Sequence, residues 1–183
     1  MKRLLFLAIA AIALVAVPSV SHAQFGVLKP FQLGIAGGGT LPMSDLSNTA
    51  KTGYNGTVAL GINLPLIPVG LRIDGAYNAF SGKSGVGVAG AKLHVMSATG
   101  NIVWGLPMVG VSPYLIGGAG LYMPTASAPG VANTSETNFG WNAGAGVKLP
   151  LSVFSAFVEA RYNRTTFGSN SMEFVPVTFG IMF

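Results

Sequence analysis

Apolar and polar residues alternate along eight stretches of the chain, with the period of two residues that is typical of β-strands. The end of the chain shows the alternation most clearly. Every odd-numbered position from Val175 to Phe183 is apolar, whereas the even-numbered positions are mixed and include Pro176, Thr178 and Gly180. The sequence therefore predicts eight strands, at residues 31–40, 54–64, 71–80, 92–104, 113–123, 138–149, 153–166 and 174–183.

Most of the predicted strands have one apolar face and one polar or small face. In strand 71–80, Arg72, Asp74 and Asn78 occupy alternate positions between apolar residues. In strand 92–104, the register that fits best has Ser97, Thr99 and Asn101 facing inward. A β-bulge would change this register. Strand 113–123 is apolar or glycine on both faces, so its register stays open. Pro176 cannot donate to a strand ladder, so we expect the pairing of the last strand to be broken there.

The connections between the predicted strands alternate between long polar loops and short turns. Segments of this length suit a tilted membrane strand, which needs roughly 9–11 residues, and in lipid their backbone groups can all be paired only in a closed barrel. The alternation is typical of bacterial outer-membrane barrels. We therefore predict an all-β fold, an eight-stranded antiparallel transmembrane β-barrel in up-and-down meander order. The predicted long loops are 42–53, 81–90, 124–137 and 168–173, and the short turns are 65–68, 105–110 and 150–152.

Aromatic residues gather near the ends of the predicted strands, where the interfacial girdles of a membrane barrel lie. The residues that we assign to these girdles are Tyr54, Trp104, Tyr114, Tyr122, Trp141 and Tyr162.

A helical alternative exists for one region. Residues 102–121 carry no charge and are long enough for a transmembrane helix. Pro107, Pro113 and the many glycines favour a hairpin of two strands instead.

The start of the chain has the three parts of a secretory signal peptide. Lys2 and Arg3 form a positive start, residues 4–17 are apolar, and Ala23 ends a small-x-small site before Gln24. We expect cleavage after Ala23, which gives a signal peptide at 1–23 and an outer-membrane β-barrel domain at 24–183. An uncleaved membrane anchor is the alternative.

Composition agrees with a barrel whose outer surface faces lipid. Only 8% of the residues are charged and 50% are hydrophobic, whereas soluble domains carry about 25% charged residues. The chain has no cysteine, which permits an oxidising compartment. Its net charge of +5 is scattered rather than clustered, so the sequence gives no indication of nucleic-acid binding.

Four charged residues are expected inside the barrel, because a basic residue facing lipid near mid-membrane costs about 2–4 kcal/mol. They are Arg72, Asp74, Glu159 and Arg161. Such a cluster can form a structural plug of ion pairs, or it can line or gate a narrow pore. An eight-stranded barrel has room inside for side chains or for one small ligand, which argues against a wide channel.

The sequence gives little support for an enzyme. His94 is the one histidine of the predicted mature chain, and we expect it and Lys92 to lie beyond the bilayer. Ser97 and Asp74 would be its partners for nucleophilic catalysis only by coincidence. The acidic residues are isolated in sequence, so no metal-ligand cluster is indicated. We predict no catalytic, metal or cofactor-binding residues.

With these features together, the chain resembles the small bacterial outer-membrane β-barrels, the eight-stranded OmpA-like and opacity-type group. Residues 140–146 and 157–162 are similar to the penultimate hairpin of such proteins. The terminal pattern of Val177, Phe179, Ile181 and Phe183 resembles the signal that the barrel assembly machinery reads in that family. The resemblance implies Sec-type export, periplasmic chaperones and insertion into the lipid of the outer membrane of a Gram-negative-type bacterium.

Fold alone does not determine function in this group. We expect a non-enzymatic structural or surface-interaction role, in which the barrel is the anchor and the long loops meet any surface ligand. The alternative is a narrow channel or a transporter for small or apolar solutes. The sequence indicates neither a ligand nor an oligomeric state.

Overall fold

The computed structural model describes residues 31–64, 67–83, 91–106 and 110–183. The predicted signal peptide, with Ala23 and Gln24, lies outside this range. The described part of the chain contains nine strands and one short helix. They are β1 (Phe31–Met43), α1 (Ser44–Thr49), β2 (Gly53–Asn63), β3 (Val69–Ser81), β4 (Lys92–Gly105), β5 (Ser112–Ala128), β6 (Val131–Ser135), β7 (Asn138–Pro150), β8 (Ser155–Phe167) and β9 (Asn170–Met182).

Eight of these strands form a closed antiparallel barrel. Neighbours in the sheet follow the order β4-β3-β2-β1-β9-β8-β7-β5, and an additional pairing of β4 with β5 closes the ring. The remaining strand, β6, pairs with the end of β5 and extends that hairpin beyond the barrel. The predicted all-β, up-and-down fold is confirmed. Because the ring is closed, the barrel itself leaves no strand edge unpaired.

Side chains alternate between an apolar outer face and a largely polar interior. On β3, Leu71 and Ile73 are 47% and 62% exposed, whereas Arg72 and Asp74 are 5% and 2% exposed. A soluble domain of this size would bury such apolar side chains, and large exposed apolar surfaces mark contact with protein or membrane. The register expected for strand 92–104 is also confirmed, because Asn101 is buried on the inner face. No bulge interrupts its pairing with β3.

The two ends of the barrel differ in their connections. We call the end that carries α1 and the β5–β6 hairpin the loop end, and the end that carries the β7–β8 connection the turn end.

Two predicted loops are wrong in part. Most of 124–137 is strand, in β5 and β6, and β9 already begins at Asn170. Only Gly168 and Ser169 therefore connect β8 to β9, and Gly168 adopts the positive φ of +59° that such a tight turn requires.

Pro176 breaks the ladder between β8 and β9, as expected from the sequence. Pairing stops at Ala160↔Val177 and resumes in the same register at Asn163↔Phe174. Pro176 has no N–H to donate to the carbonyl of Arg161. The side-chain Nδ2 of Asn163 donates to that carbonyl instead, at 3.2 Å.

Two of the six aromatic residues assigned to the girdles face the interior. Tyr114 and Tyr122 are 5% and 0% exposed, so their assignment to the lipid interface is wrong. Both lie on β5, whose two faces are too alike in sequence to set the register. Tyr54, Trp104 and Trp141 are exposed on the outer face.

The helical alternative for 102–121 is not adopted, since the described residues of this region contribute to β4 and β5. Within the described ranges, no helix has the length and apolar character needed to cross a membrane.

Candidate functional site

The barrel interior contains a closed ring of four alternating charges. Arg72 Nη2 lies 2.7 Å from Glu159 Oε2, and Arg161 Nη2 lies 2.5 Å from Glu159 Oε1. On the other side, Arg72 Nε and Arg161 Nη1 lie 3.1 Å and 2.8 Å from the two carboxylate oxygens of Asp74. The ring carries no net charge, and each of its charges has two opposite partners. This arrangement offsets the large cost of burying ions.

Neutral side chains add further hydrogen bonds to the ring. The Tyr114 hydroxyl donates to Glu159 Oε2 at 2.8 Å, and Asn101 Nδ2 donates to Asp74 Oδ2 at 3.0 Å. Asn142 Nδ2 donates in turn to Asn101 Oδ1 at 2.9 Å. These three residues extend the site, and sequence reasoning missed their role. The polar alternation of β4 and β7 indicated that the two asparagines face inward, but not which residues they meet across the barrel.

An apolar layer lies between the ring and the turn end. Ala59, Phe157 and Met182 are buried together there, with Ala36 packed against them. Nearby, Lys148 Nζ donates to Gln32 Oε1 at 3.3 Å. The turn end of the interior is therefore filled by side chains.

A polar layer lies on the other side of the ring. The Thr40 hydroxyl donates to Asn78 Oδ1 at 3.0 Å, and Asn55 Nδ2 donates to the Thr40 hydroxyl at the same distance. Between this layer and the ring lies a cavity of about 20 Å³, lined by groups that include Asp74 and Arg161. Such a volume is about that of a single water molecule.

Above the polar layer, aromatic side chains close the loop end of the interior. Phe174 and Tyr122 have no exposed surface and Phe80 is 2% exposed. The ring of Phe174 packs edge-on against Phe80 and Tyr122, with centroids 5.8 Å and 6.4 Å apart. Tyr122 also donates to Asn163 Oδ1 at 2.9 Å. We call the cluster of Ala50, Phe80, Val95, Tyr122, Met172 and Phe174 the apolar seal.

A larger cavity opens beyond the apolar seal, at the loop end. Its volume is about 630 Å³. Its walls come from α1, from the ends of β3 and β4, from the β5–β6 hairpin and from the adjoining ends of β8 and β9. Sequence reasoning did not find this cavity, because its walls converge from segments far apart in the chain.

His94 and its conceivable catalytic partners do not come together. The His94 ring lies on the outer face of β4, stacked on Tyr77 with centroids 5.6 Å apart, and its Nδ1 is 2.6 Å from the Tyr77 hydroxyl. Asp74 is committed to the interior ring, and Ser97 lines the small interior cavity. In the described ranges, no three metal-ligating residues come together.

The residues of the proposed terminal signal lie on the outer face of the barrel or at its rim. Phe179 and Phe183 are 60% and 48% exposed, and Val177 and Ile181 are partly exposed. Phe183 lies beside β1, where its N–H donates to the Leu33 carbonyl at 2.8 Å. This position at the seam of the barrel leaves the aromatic rings accessible.

Residues 4–183 match the family model described as outer membrane protein beta-barrel domain. The match spans nearly the whole chain, so the chain belongs to this family and is an outer-membrane β-barrel protein. A comparison with curated proteins gave no match.

Solved structures of other small outer-membrane proteins share the fold. The chain is similar to Neisserial surface protein A, with a TM-score of 0.68 and 14% identity over 84% of this chain and 96% of that one. It is similar to Ail, the attachment invasion locus protein of Yersinia pestis, with a TM-score of 0.53 and 18% identity over 84% of this chain and 97% of that one. It is also similar to a major outer membrane protein of Thermus thermophilus, with a TM-score of 0.54 and 10% identity over 84% of this chain and 98% of that one. At these identities the likeness concerns the fold alone.

Proposed function

We propose that this protein is a non-enzymatic barrel of the outer membrane, closed to solutes, which has a structural or surface-interaction role and meets its surroundings through its loop end. The observation that carries the proposal is the filled interior. The turn-end apolar layer, the charged ring and the apolar seal lie one above another, and the cavity described between them is about the size of one water molecule.

The energetics of the charged ring support a permanently closed interior. To open a passage past Arg72 and Arg161, at least one charge must leave two buried partners. Breaking a buried ion pair costs about 3–5 kcal/mol. The apolar seal would have to open as well, because its packed rings block the same path nearer the loop end. A gate would need both barriers to move together.

The remaining parts of the proposal concern export and assembly. The predicted signal peptide at 1–23 would direct Sec-type export, and periplasmic chaperones and the barrel assembly machinery would deliver the chain to the outer-membrane lipid. Short turns face the periplasm in bacterial barrels, so the loop end would face outward. The separation of His94 from Asp74 and Ser97 supports a non-enzymatic role.

Solute flux through reconstituted protein tests the closed barrel. Protein is inserted into liposomes, insertion is verified by protease protection of the barrel, and swelling in small sugars and ion conductance in planar bilayers are measured. We expect the wild type and Arg164→Ala, which alters an exposed arginine, to be silent in both assays. Reproducible conductance that Arg161→Ala changes and Arg164→Ala does not would overturn the closed barrel and favour the narrow channel.

A further inference from the structure

The cavity at the loop end has the features of a binding site for an apolar molecule. Its volume of about 630 Å³ falls within the 300–1,000 Å³ of typical small-molecule pockets. Its floor is continuous with the apolar seal, since Met172 and Ala50 belong to both. Leu46, Leu93 and Phe167 line the cavity and pack against the seal as well. A ligand that enters from the loop end therefore meets an apolar floor and cannot pass further.

Small side chains make the walls smooth and leave the volume free. The hairpin contributes Ala126, Ala128 and Ala132, and the residues next to the ends of β3 and β4 contribute Gly82 and Ala91. Polar side chains also line the cavity, namely those of Thr49, Ser81, Ser127, Thr134, Asn170 and Ser171, but apolar atoms make up most of the surface of these walls. Such walls suit a molecule whose binding depends on burial of hydrocarbon, at about 25 cal/mol for each Å² removed from water.

The charges around the cavity give no basis for binding an ionic group. Among the described lining residues, Asp45 and Lys92 are the charged ones, and they have opposite signs. Tight anion sites use several convergent basic groups or backbone N–H groups, and the described lining shows no such convergence. The charge pattern therefore favours an uncharged body over a phosphate, a sulfate or a cation.

The walls are held in place by hydrogen bonds between segments that are distant in sequence. Lys83 Nζ donates to the Ser47 carbonyl at 2.6 Å, and its backbone N–H donates to the Thr49 carbonyl at 2.8 Å, which fixes α1 against the end of β3. Glu136 Oε2 accepts from the Gly168 N–H at 2.8 Å, which ties the base of the hairpin to the β8–β9 turn. The cavity is thus formed before a ligand arrives, and less ordering free energy is lost on binding.

We propose that this cavity binds the alkyl chain of a lipid-like molecule, with the polar end of that molecule left in water at the loop end. The inference rests on the proposed surface-interaction role and gives it a ligand class. It does not depend on whether the barrel conducts, so flux measurements and binding measurements can fail independently.

Methyl NMR of the full barrel in lipid nanodiscs tests the proposal, with 1-octanol as the probe. The alanine methyl groups are labelled with ¹³C. We expect saturable shifts of the cavity methyls of Ala50, Ala126 and Ala132 as 1-octanol is added. The lipid-facing methyls of Ala98 and Ala160 report partition of the alcohol into the bilayer, which does not saturate. Inorganic phosphate should give no saturable shift at the cavity methyls.

Two neighbouring positions of β6 provide a matched pair of variants. Ala132 lines the cavity, whereas Asn133 is exposed and does not line it. We expect Ala132→Trp to fill the cavity and weaken 1-octanol binding by roughly tenfold or more, and Asn133→Trp to leave it within about twofold. Non-saturable shifts like those of Ala98, equal effects of the two variants, or a saturable response to phosphate would overturn the proposal. Folding of both variants is verified by the dispersion of the lipid-facing methyl signals.

Discussion

Arg72 and Arg161 each pair with the two buried carboxylates of the interior ring, and Arg72 is the more buried of the two arginines. We predict that Arg72→Met destabilises the barrel by about 3–5 kcal/mol, because Glu159 and Asp74 each lose a partner while they stay buried. Urea unfolding of the protein in lipid vesicles measures this loss.

Arg164→Met is the matched control for that prediction. Arg164 is 49% exposed and its Nε lies 3.6 Å from Glu173, so its loss should cost no more than about 1 kcal/mol. Equal losses for the two variants would show that the ring does not stabilise the fold. Adding Glu159→Gln to Arg72→Met should recover part of the stability, since it removes a charge left without its full set of partners.

Glycines mark the places where sequence reasoning about single residues reached its limit. In the sequence, the glycines of β7 that alternate with apolar residues allow either a thin passage or large side chains opposite them. The structure shows the second arrangement, because a Cβ on Gly140 would lie 2.7 Å from the Tyr122 ring and one on Gly144 would lie 2.6 Å from Arg161 Cγ. Alternation in sequence indicates that a glycine faces inward. It does not indicate which side chain from another strand occupies the space.

At the scale of elements, the interruption of the β8–β9 ladder gives a double-mutant test. Asn163→Ala removes the donor to the Arg161 carbonyl and the acceptor of the Tyr122 hydroxyl. Leaving buried groups unpaired costs about 1–3 kcal/mol each. We predict that this loss is smaller in a Pro176→Ala background, since residue 176 then has an N–H that can donate to the Arg161 carbonyl.

The unfolding free energies of the wild type, the two single variants and the double variant give the coupling between the sites. Asn133→Ala, on the exposed face of the hairpin, serves as the control and should change stability by no more than about 0.5 kcal/mol. A loss from Asn163→Ala that is the same with and without Pro176 would contradict the role assigned to the side-chain amide.

The strand β5 shows why the register of one element had to come from the structure. Both of its faces are apolar or glycine, so periodicity alone could not orient it. The pairing of β5 with its two neighbours in the closed barrel sets its register. Tyr114 pairs with Gly105 on β4 and with Gly146 on β7. Its extension into the β5–β6 hairpin was also unpredicted, because 124–137 contains Pro129 and Gly130, which indicate a loop.

For the whole molecule, the number of barrel strands, the antiparallel order and the lipid-facing surface followed from the sequence. They depend on residue alternation and on connection length, which are local properties. The inward orientation of the four ring charges also followed, because lipid excludes charge. The exact pairing of the ring, the apolar seal and the cavity at the loop end did not follow, since each joins side chains from strands that are not adjacent in sequence.

The contact of Phe183 with β1, where the barrel closes, leads to a prediction about assembly. Phe183 and Leu33 exchange two backbone hydrogen bonds, at 2.8 Å and 3.2 Å, and the Phe183 ring lies 6.1 Å from that of Phe154. Phe183→Ala keeps both backbone bonds and removes only the aromatic ring. If the barrel assembly machinery reads that ring, the variant should be exported normally, reach the outer membrane at a reduced level and still fold spontaneously into pure lipid vesicles.

A lipid-facing aromatic residue away from the chain end provides the control for this prediction. It separates recognition of the Phe183 ring by the assembly machinery from the general effect of losing an apolar side chain. Phe139 is 72% exposed on the outer face, and Phe139→Ala should reach the outer membrane at a nearly normal level. Membrane fractionation measures assembly in cells, and the heat-dependent change in electrophoretic mobility measures folding in vesicles. A normal outer-membrane level of Phe183→Ala would exclude a terminal signal that depends on this ring. An equal defect in cells and in vesicles would instead assign Phe183 to packing at the seam between β1 and β9.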